Sequence, residues 1–216
     1  MLELNKLYLM DCQEGMAQFP DGYFALAIVD PPYGVTDLKG NDVMAGKRLD
    51  KYGDPYGANM LKPGPEYFKE LFRVSKHQIV FGYNHLSDML PAAKEFIFWY
   101  KRQPAPSFAD GELAWTSFSG NAKCFDYAYY ASIGMDKDMK RQHPMQKPIP
   151  LYNWILRTYE KQIGGGVVLD THVGSASSLV ACYQAGVDYV GFEINPVFYE
   201  AAQERLEAHM NQMRFV

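Results

Sequence analysis

The feature that most constrains this chain is the apolar run Tyr23-Phe24-Ala25-Leu26-Ala27-Ile28-Val29, stopped by Asp30-Pro31-Pro32-Tyr33. An unbroken run of aromatic and branched residues, closed by turn residues, is the pattern of a strand buried on both faces, as in a parallel sheet covered by helices. Its carboxyl end opens into a loop, where sheets of this kind place functional groups. Pro31 and Pro32 fix φ and remove two backbone donors, so the turn presents carbonyl oxygens and a carboxylate with few competing N–H groups. It is an acceptor site. An amine on an aromatic base has hydrogens to give to it, and Tyr33 has a ring to stack on that base. A plain strand-ending turn, with Asp30 capping backbone, is the alternative these residues leave open.

Strand and helix patterns alternate along the rest of the chain. Leu4–Met10 reads as a strand that delivers Asp11 and Cys12 to a loop. Gly64-Pro65 starts a helix with Phe68, Leu71 and Phe72 on one side, followed by a strand over His77–Phe81, a helix over Leu86–Lys94 and a strand over Phe96–Tyr100. Residues 101–142 carry a weaker pattern and predict loops and edge strands, one of them around Phe125–Tyr130. A helix over Pro148–Gln162 then ends at Gly164-Gly165-Gly166, a strand covers Val167–Leu169, a helix carries Ala176, Leu179, Val180 and Tyr183 on one side, a strand covers Tyr189–Ile194, and a last helix follows Pro196. This alternation predicts one α/β domain over residues 1–216, with a parallel sheet and a long loop at about 34–65.

Composition narrows the function classes. With 48% apolar and 15% aromatic residues, 216 residues can bury a sizeable core. No apolar run approaches a membrane span, and the start Met-Leu-Glu-Leu-Asn-Lys has no signal-peptide pattern, so a cytoplasmic protein is expected. Cys12, Cys124 and Cys182 are scattered and indicate neither a disulfide framework nor a zinc site, and the histidines lack metal-ligand spacing. A formal charge of −4 argues against a general nucleic-acid coat. It leaves room for local basic clusters, here Lys47, Arg48 and Lys51, then Lys137, Lys140, Arg141 and Lys147, which solvated faces also carry.

A second constellation is Val168-Leu169-Asp170-Thr171-His172-Val173-Gly174-Ser175-Ala176, with the form of strand, acid, glycine turn and helix start. In a doubly wound sheet that turn lies where nucleotide-like ligands bind. Glu193, at the end of the next strand, suits a carboxylate that accepts both hydroxyls of a ribose. A nicotinamide fingerprint would need three glycines where one stands. Asp170 suits a cationic ligand such as the amino group and sulfonium of S-adenosylmethionine. A sharp turn at Gly174 and a helix cap at Glu193 would satisfy the same residues without a ligand.

Asp30-Pro31-Pro32-Tyr33, His143-Pro144-Met145-Gln146-Lys147-Pro148 and Asp170–Ser175, taken in this order, resemble the amino-methyltransferases of DNA in which the catalytic motif precedes the cofactor motif. The resemblance runs from Asp11 to about Leu206. It implies a Rossmann-like, seven-stranded, mostly parallel sheet with helices on both faces. It also implies that Asp30, Pro31, Pro32 and Tyr33 hold a flipped target base, that Asp11 and Cys12 approach the cofactor's adenine and Glu193 its ribose, and that His143, Lys147, Asp170, Gly174 and Ser175 complete the S-adenosylmethionine site. Thr171 and His172 stand where the family has Pro-Phe, and Ala176 where it has a second glycine; the Ala176 methyl is expected to fit a helix start. The region available for target recognition, about Phe118–Gln142, is short, so a homodimer would be one way to share DNA contacts.

The activity implied is methyl transfer from S-adenosylmethionine to the N6 amine of adenine in DNA. Cytosine-N4 methylation uses the same chemistry, with Asp in the first motif position more typical for adenine. A catalytically idle module that binds DNA or cofactor is the alternative from another class.

Overall fold

In the computed structural model, which describes residues 1–33, 61–102, 109–129 and 146–213, the predicted central strand is present and buried along its whole length. The sheet is built from β1 (Lys6–Leu9), β2 (Phe24–Val29), β3 (Ser75–Phe81), β4 (Phe96–Tyr100), β5 (Gly111–Thr116), β6 (Lys123–Asp126), β7 (Val168–Asp170) and β8 (Tyr189–Glu193). Side chains of a strand alternate between faces, and in β2 Leu26 and Ile28 join one apolar cluster while Ala27 and Val29 join the other. A strand that is apolar on both faces needs cover on both. On one side lie α1 (Cys12–Met16), α2 (Pro65–Val74) and α3 (Tyr83–Leu86), contributing Met16, Phe68, Leu71 and Leu86. On the other lie α4 (Ile149–Ile163), α5 (Ser177–Ala185) and α6 (Pro196–Met213), contributing Ile155, Tyr159, Val180 and Leu206.

The strand order is β1-β8-β7-β2-β3-β5-β4-β6. Only β5 runs against its neighbours, pairing antiparallel with β3 and β4; the other pairs are parallel. The described residues form an eight-stranded sheet, one strand more than the resemblance implies, with β6 as an outer strand beside β4. The weak pattern of residues 101–142 predicts loops and edge strands. β6 is such an edge, but β5 is interior, and its Ala114, Trp115 and Thr116 are buried. The helix expected over Leu86–Lys94 is instead the short α3, which ends before Pro91, a residue that cannot continue an i→i−4 ladder.

This order places the site. β1, β8, β7 and β2 are consecutive neighbours with parallel direction, so their carboxyl ends bring Asp11, Glu193, Asp170 and Asp30 to one edge from four distant parts of the chain. Because β5 is antiparallel, its beginning lies at that same edge, and Glu112 comes with it. Lys47, Arg48, Lys51, Lys137, Lys140, Arg141 and His143 lie outside the described residues, as do residues 34–60 of the long loop and 130–142 of the expected recognition segment.

Candidate active site

Asp30 follows the last residue of β2 and is held at both oxygens. The Tyr33 hydroxyl donates to Oδ1, and the Lys147 ammonium donates to Oδ2. Tyr33 can turn back this closely because Gly82 leaves room: a Cβ there would lie 2.0 Å from Tyr33 Cε1, and the φ of Gly82 is +78°. The Tyr33 ring stacks on His85 with centroids 5.2 Å apart and planes 13° apart.

Lys147 precedes α4 and is 4% exposed. Its Nζ lies 3.2 Å from Glu112 Oε2 and 4.6 Å from the centroid of the Phe81 ring. Glu112 Oε1 in turn accepts from Lys101, whose Nζ sits 4.8 Å over the Trp99 ring. Burial alone would favour a neutral Lys147, but the carboxylates of Asp30 and Glu112 outweigh it and raise the pKa of the ammonium. Burial alone would raise the Glu112 carboxyl, but Lys147 and Lys101 bring it below the usual carboxylate range. The Tyr33 hydroxyl is pushed well up, first by burial and then by the Asp30 charge, and so remains a donor.

The second cluster is the turn after β7. Asp170 is buried, with Oδ1 accepting from the His172 N–H at 3.0 Å and Oδ2 from the Ser178 hydroxyl. Glu193 accepts backbone N–H groups at both oxygens, from Gly174 and from Asn195, each at 2.9 Å. Burial pushes Asp170 up to about 7 and also raises Glu193, while it brings the His172 imidazole down to about 4. Gly174 has φ +53°. Ala176, expected to fit its methyl at a helix start, is the residue capping α5 and has φ +61°, the left-handed backbone that glycine adopts more readily. Its side chain is fully buried, and its carbonyl accepts the Val180 N–H at 2.9 Å.

Ser175 Oγ lies 3.2 Å from Ser177 Oγ, and the Ser175 carbonyl accepts from Arg205 Nη1 at 2.6 Å. Ser177 Oγ donates to the Lys147 carbonyl at 2.7 Å, tying this turn to the backbone that carries the Asp30 partner.

Between the clusters is a cavity of about 170 Å³ bounded in part by Asp11, Cys12, Pro32, Tyr67, His172 and Glu193. Asp11 caps α1, its Oδ1 accepting from the N–H groups of Gln13 at 2.8 Å and Glu14 at 3.3 Å. Burial, with Asp11 nearby, pushes the Cys12 thiol up to about 12, so it stays neutral. The Tyr67 hydroxyl and Thr171 Oγ1 hydrogen-bond at 2.6 Å, and the Tyr67 ring meets His172 edge-on. A larger groove of about 930 Å³ lies at the amino ends of β7 and β8, lined by Leu156, Gly164 and Val187 among others, away from the acids.

Sequence reasoning points to Asp30, Tyr33, Asp11, Cys12, Lys147, Asp170, Gly174, Ser175 and Glu193, and the structure brings all of them to the carboxyl edge of the sheet. Lys147, assigned by resemblance to the cofactor, is placed against Asp30 and Glu112. Tyr67, Glu112 and His85 are missed by it. Tyr67 reads as one more apolar residue of an amphipathic helix, and Glu112 belongs to a strand whose pattern is too mixed to recognise. Among the described residues no helix is long and apolar enough to cross a membrane, and no group of His, Cys, Asp and Glu is arranged to hold a metal ion.

A family model described as DNA methylase matches residues 67–204. "Putative methylase YubD" of Escherichia coli (strain K12) is 26% identical over 220 residues, covering 94% of this chain and 91% of its own length. Among solved structures, the putative DNA modification methylase TTHA0409 from Thermus thermophilus superposes with a TM-score of 0.56 at 17% identity, covering 94% of each chain. The cytosine-N4-specific PvuII DNA methyltransferase superposes with a TM-score of 0.59 at 14% identity, covering 95% of this chain and 90% of its own.

Proposed function

The chain belongs to the DNA methylase family, and from that premise we propose that it transfers a methyl group from S-adenosylmethionine to the exocyclic N6 amine of adenine in DNA. The observation that carries this reading is the Asp30 carboxylate, fixed at both oxygens beside an aromatic ring and next to a cavity edged by acids.

The residues around the cavity fit the proposed cofactor. Pro32 and Tyr67 offer apolar and aromatic wall for a purine, and Glu193, ordered by two backbone N–H groups, offers acceptor lone pairs to ribose hydroxyls. Asp11 and Cys12 line the proposed adenine pocket, and Asp170, Gly174 and Ser175 belong to the turn whose Thr171 and His172 contribute to its wall. Bound there, S-adenosylmethionine would supply an electrophilic methyl on a sulfonium.

Asp30 and the Pro31 carbonyl act on the amine. Its lone pair is delocalised into the base, and acceptors for its two hydrogens favour the pyramidal geometry in which that pair can attack. Tyr33 stacks on the flipped base. S-adenosylmethionine, when bound, would supply the methyl group for in-line attack by that pair, with the electrons of its carbon–sulfur bond leaving on sulfur, and positive charge would develop on the amine nitrogen. Asp30 would stabilise that charge until the amine releases one proton to water. Cytosine N4 presents the same hydrogens, and the likeness to a cytosine-N4-specific enzyme keeps this as the second reading.

Nucleoside analysis of DNA treated with the protein and S-adenosylmethionine tests both. N6-methyladenine is expected; N4-methylcytosine instead would replace adenine as the target. No methylated base on any DNA, with S-adenosylmethionine present, would overturn the proposal.

A further inference from the structure

We propose that Glu112 is a positioning residue for methyl transfer, acting through Lys147: its carboxylate balances the Lys147 ammonium so that the charge of Asp30 is still felt at the reacting amine. The inference rests on the reading of Asp30 given above.

The difficulty it resolves is electrostatic. Asp30 is useful to a nitrogen that becomes positive only while its own negative charge is available, yet a buried ammonium is bonded directly to its Oδ2. An isolated Asp30–Lys147 pair would present nearly cancelled charge to the amine. Glu112 approaches Lys147 from β5, across the sheet edge from Asp30 at the end of β2, and its Oε2 lies 3.2 Å from Nζ. Oε2 is buried and makes no hydrogen bond of regular geometry among the described residues, so the contact is one of charge rather than of direction. Asp30, Lys147 and Glu112 together sum to one negative charge, and the Lys101 ammonium that brings the whole network to neutrality sits at its far end, two contacts removed from Asp30. Lys101 is one link further from Asp30, on the other oxygen of Glu112, where it keeps that carboxylate ionised.

Among the described residues, the groups around Lys147 are few enough to attribute an effect. Asp30 comes from the end of β2 with Tyr33 on its other oxygen, Phe81 from β3, and Glu112 from β5 with Lys101 behind it. Of these, Asp30 and Glu112 are the carboxylates in ion-pair contact with the ammonium, and only Glu112 can be changed without touching the proposed contact with the base.

Glu112→Gln keeps the shape and removes the charge. Expected is a fall in kcat of about tenfold or more, with KM for DNA and for S-adenosylmethionine within about threefold of wild type. The Lys147 ammonium, followed by NMR in protein carrying labelled lysine, should titrate about one pH unit or more lower once a counter-charge is gone. In a Lys147→Met background, adding Glu112→Gln should cost less than about twofold, because the ammonium through which Glu112 acts is absent. A wild type that transfers methyl groups, with Glu112→Gln at wild-type kcat and an unmoved Lys147 titration, overturns this inference alone. A wild type without methyl transfer to any DNA overturns the reading of the site and the inference with it. If Glu112→Gln has no cooperative melting transition, Glu112→Asp, which keeps the charge but shortens its reach, carries the same kcat, KM and coupling comparison.

Discussion

Asp30 and Glu193 stand at equivalent places, each at the carboxyl end of a parallel strand, and they are fastened in opposite ways. Glu193 is held by backbone N–H groups at both oxygens, and Asp170 beside it by a backbone N–H and a serine. Asp30 is held by side chains, one of them a lysine 117 positions away in sequence. Backbone donors carry no formal charge, so burial wins at Asp170 and Glu193 and raises both carboxyls. Backbone donors also cannot leave without unfolding the turn. A side-chain network can keep charge in a buried place and exchange one partner when a substrate amine arrives. One side of the cleft is a fixed mould and the other an adjustable charge.

The sharpest way to break this division is Asp30→Ala. Methyl transfer should fall by on the order of 10²–10³-fold or more in single-turnover assays, while calorimetry shows S-adenosylmethionine affinity within about threefold of wild type. If cofactor affinity collapses with activity, the two sides are not separate. Glu193→Ala tests the mould from the other direction: cofactor binding should weaken by about 1.5–3 kcal/mol through lost charge-assisted hydrogen bonds, with the rate at saturating cofactor largely kept.

Asp170→Asn sharpens the comparison through pH. Burial raises the Asp170 pKa from 3.8 to about 7. Between those values the folded chain holds a proton that the unfolded chain has released, so this stability is full at low pH and is lost as pH rises through 7. An amide cannot lose it, and thermal melts from pH 4 to 8 should show the variant gaining on wild type, by a few kcal/mol at most. His172, brought down to about 4 by burial, acts in the opposite sense but in both proteins, and largely cancels from the difference. The smallest effect is expected for Tyr67→Phe, which removes the 2.6 Å hydrogen bond to Thr171 and should cost about 1 kcal/mol in denaturant unfolding.

The same division decides what can be read from the sequence. Asp170, Gly174 and Ser175 lie within one turn, and the partners of their cluster at 193 and 195 close the next strand, so local pattern is enough to find them. The run that forms β2 is equally plain, since burial on both faces leaves no polar residue to break it. Lys147 is legible as part of a motif but its partner is not, because contact with Asp30 depends on where α4 begins relative to the sheet edge. Glu112 is hidden for a related reason. Gly111-Glu112-Leu113-Ala114-Trp115-Thr116 has neither clean alternation nor an unbroken apolar run, and only its antiparallel place between β3 and β4 aims its first residues at the site. Ala176 shows the limit from the other side, since tertiary fit holds a buried alanine in a backbone region that propensity alone would give to glycine.

The pairing of the first strand with the last carries a consequence for how the protein is made. Asn5 and Tyr189, 184 positions apart, bond to each other as β1 seats on β8. At roughly 5–20 residues per second of synthesis, β1 leaves the ribosome on the order of ten seconds or more before the strand it must join. Asp11 and Glu193, which both line the same small cavity, first meet when that strand arrives. A nascent chain can therefore assemble β2 and β3 early, but this cavity closes among the last steps of folding, and until then β1 waits without its partner, open to pairing with any other strand edge in the cell.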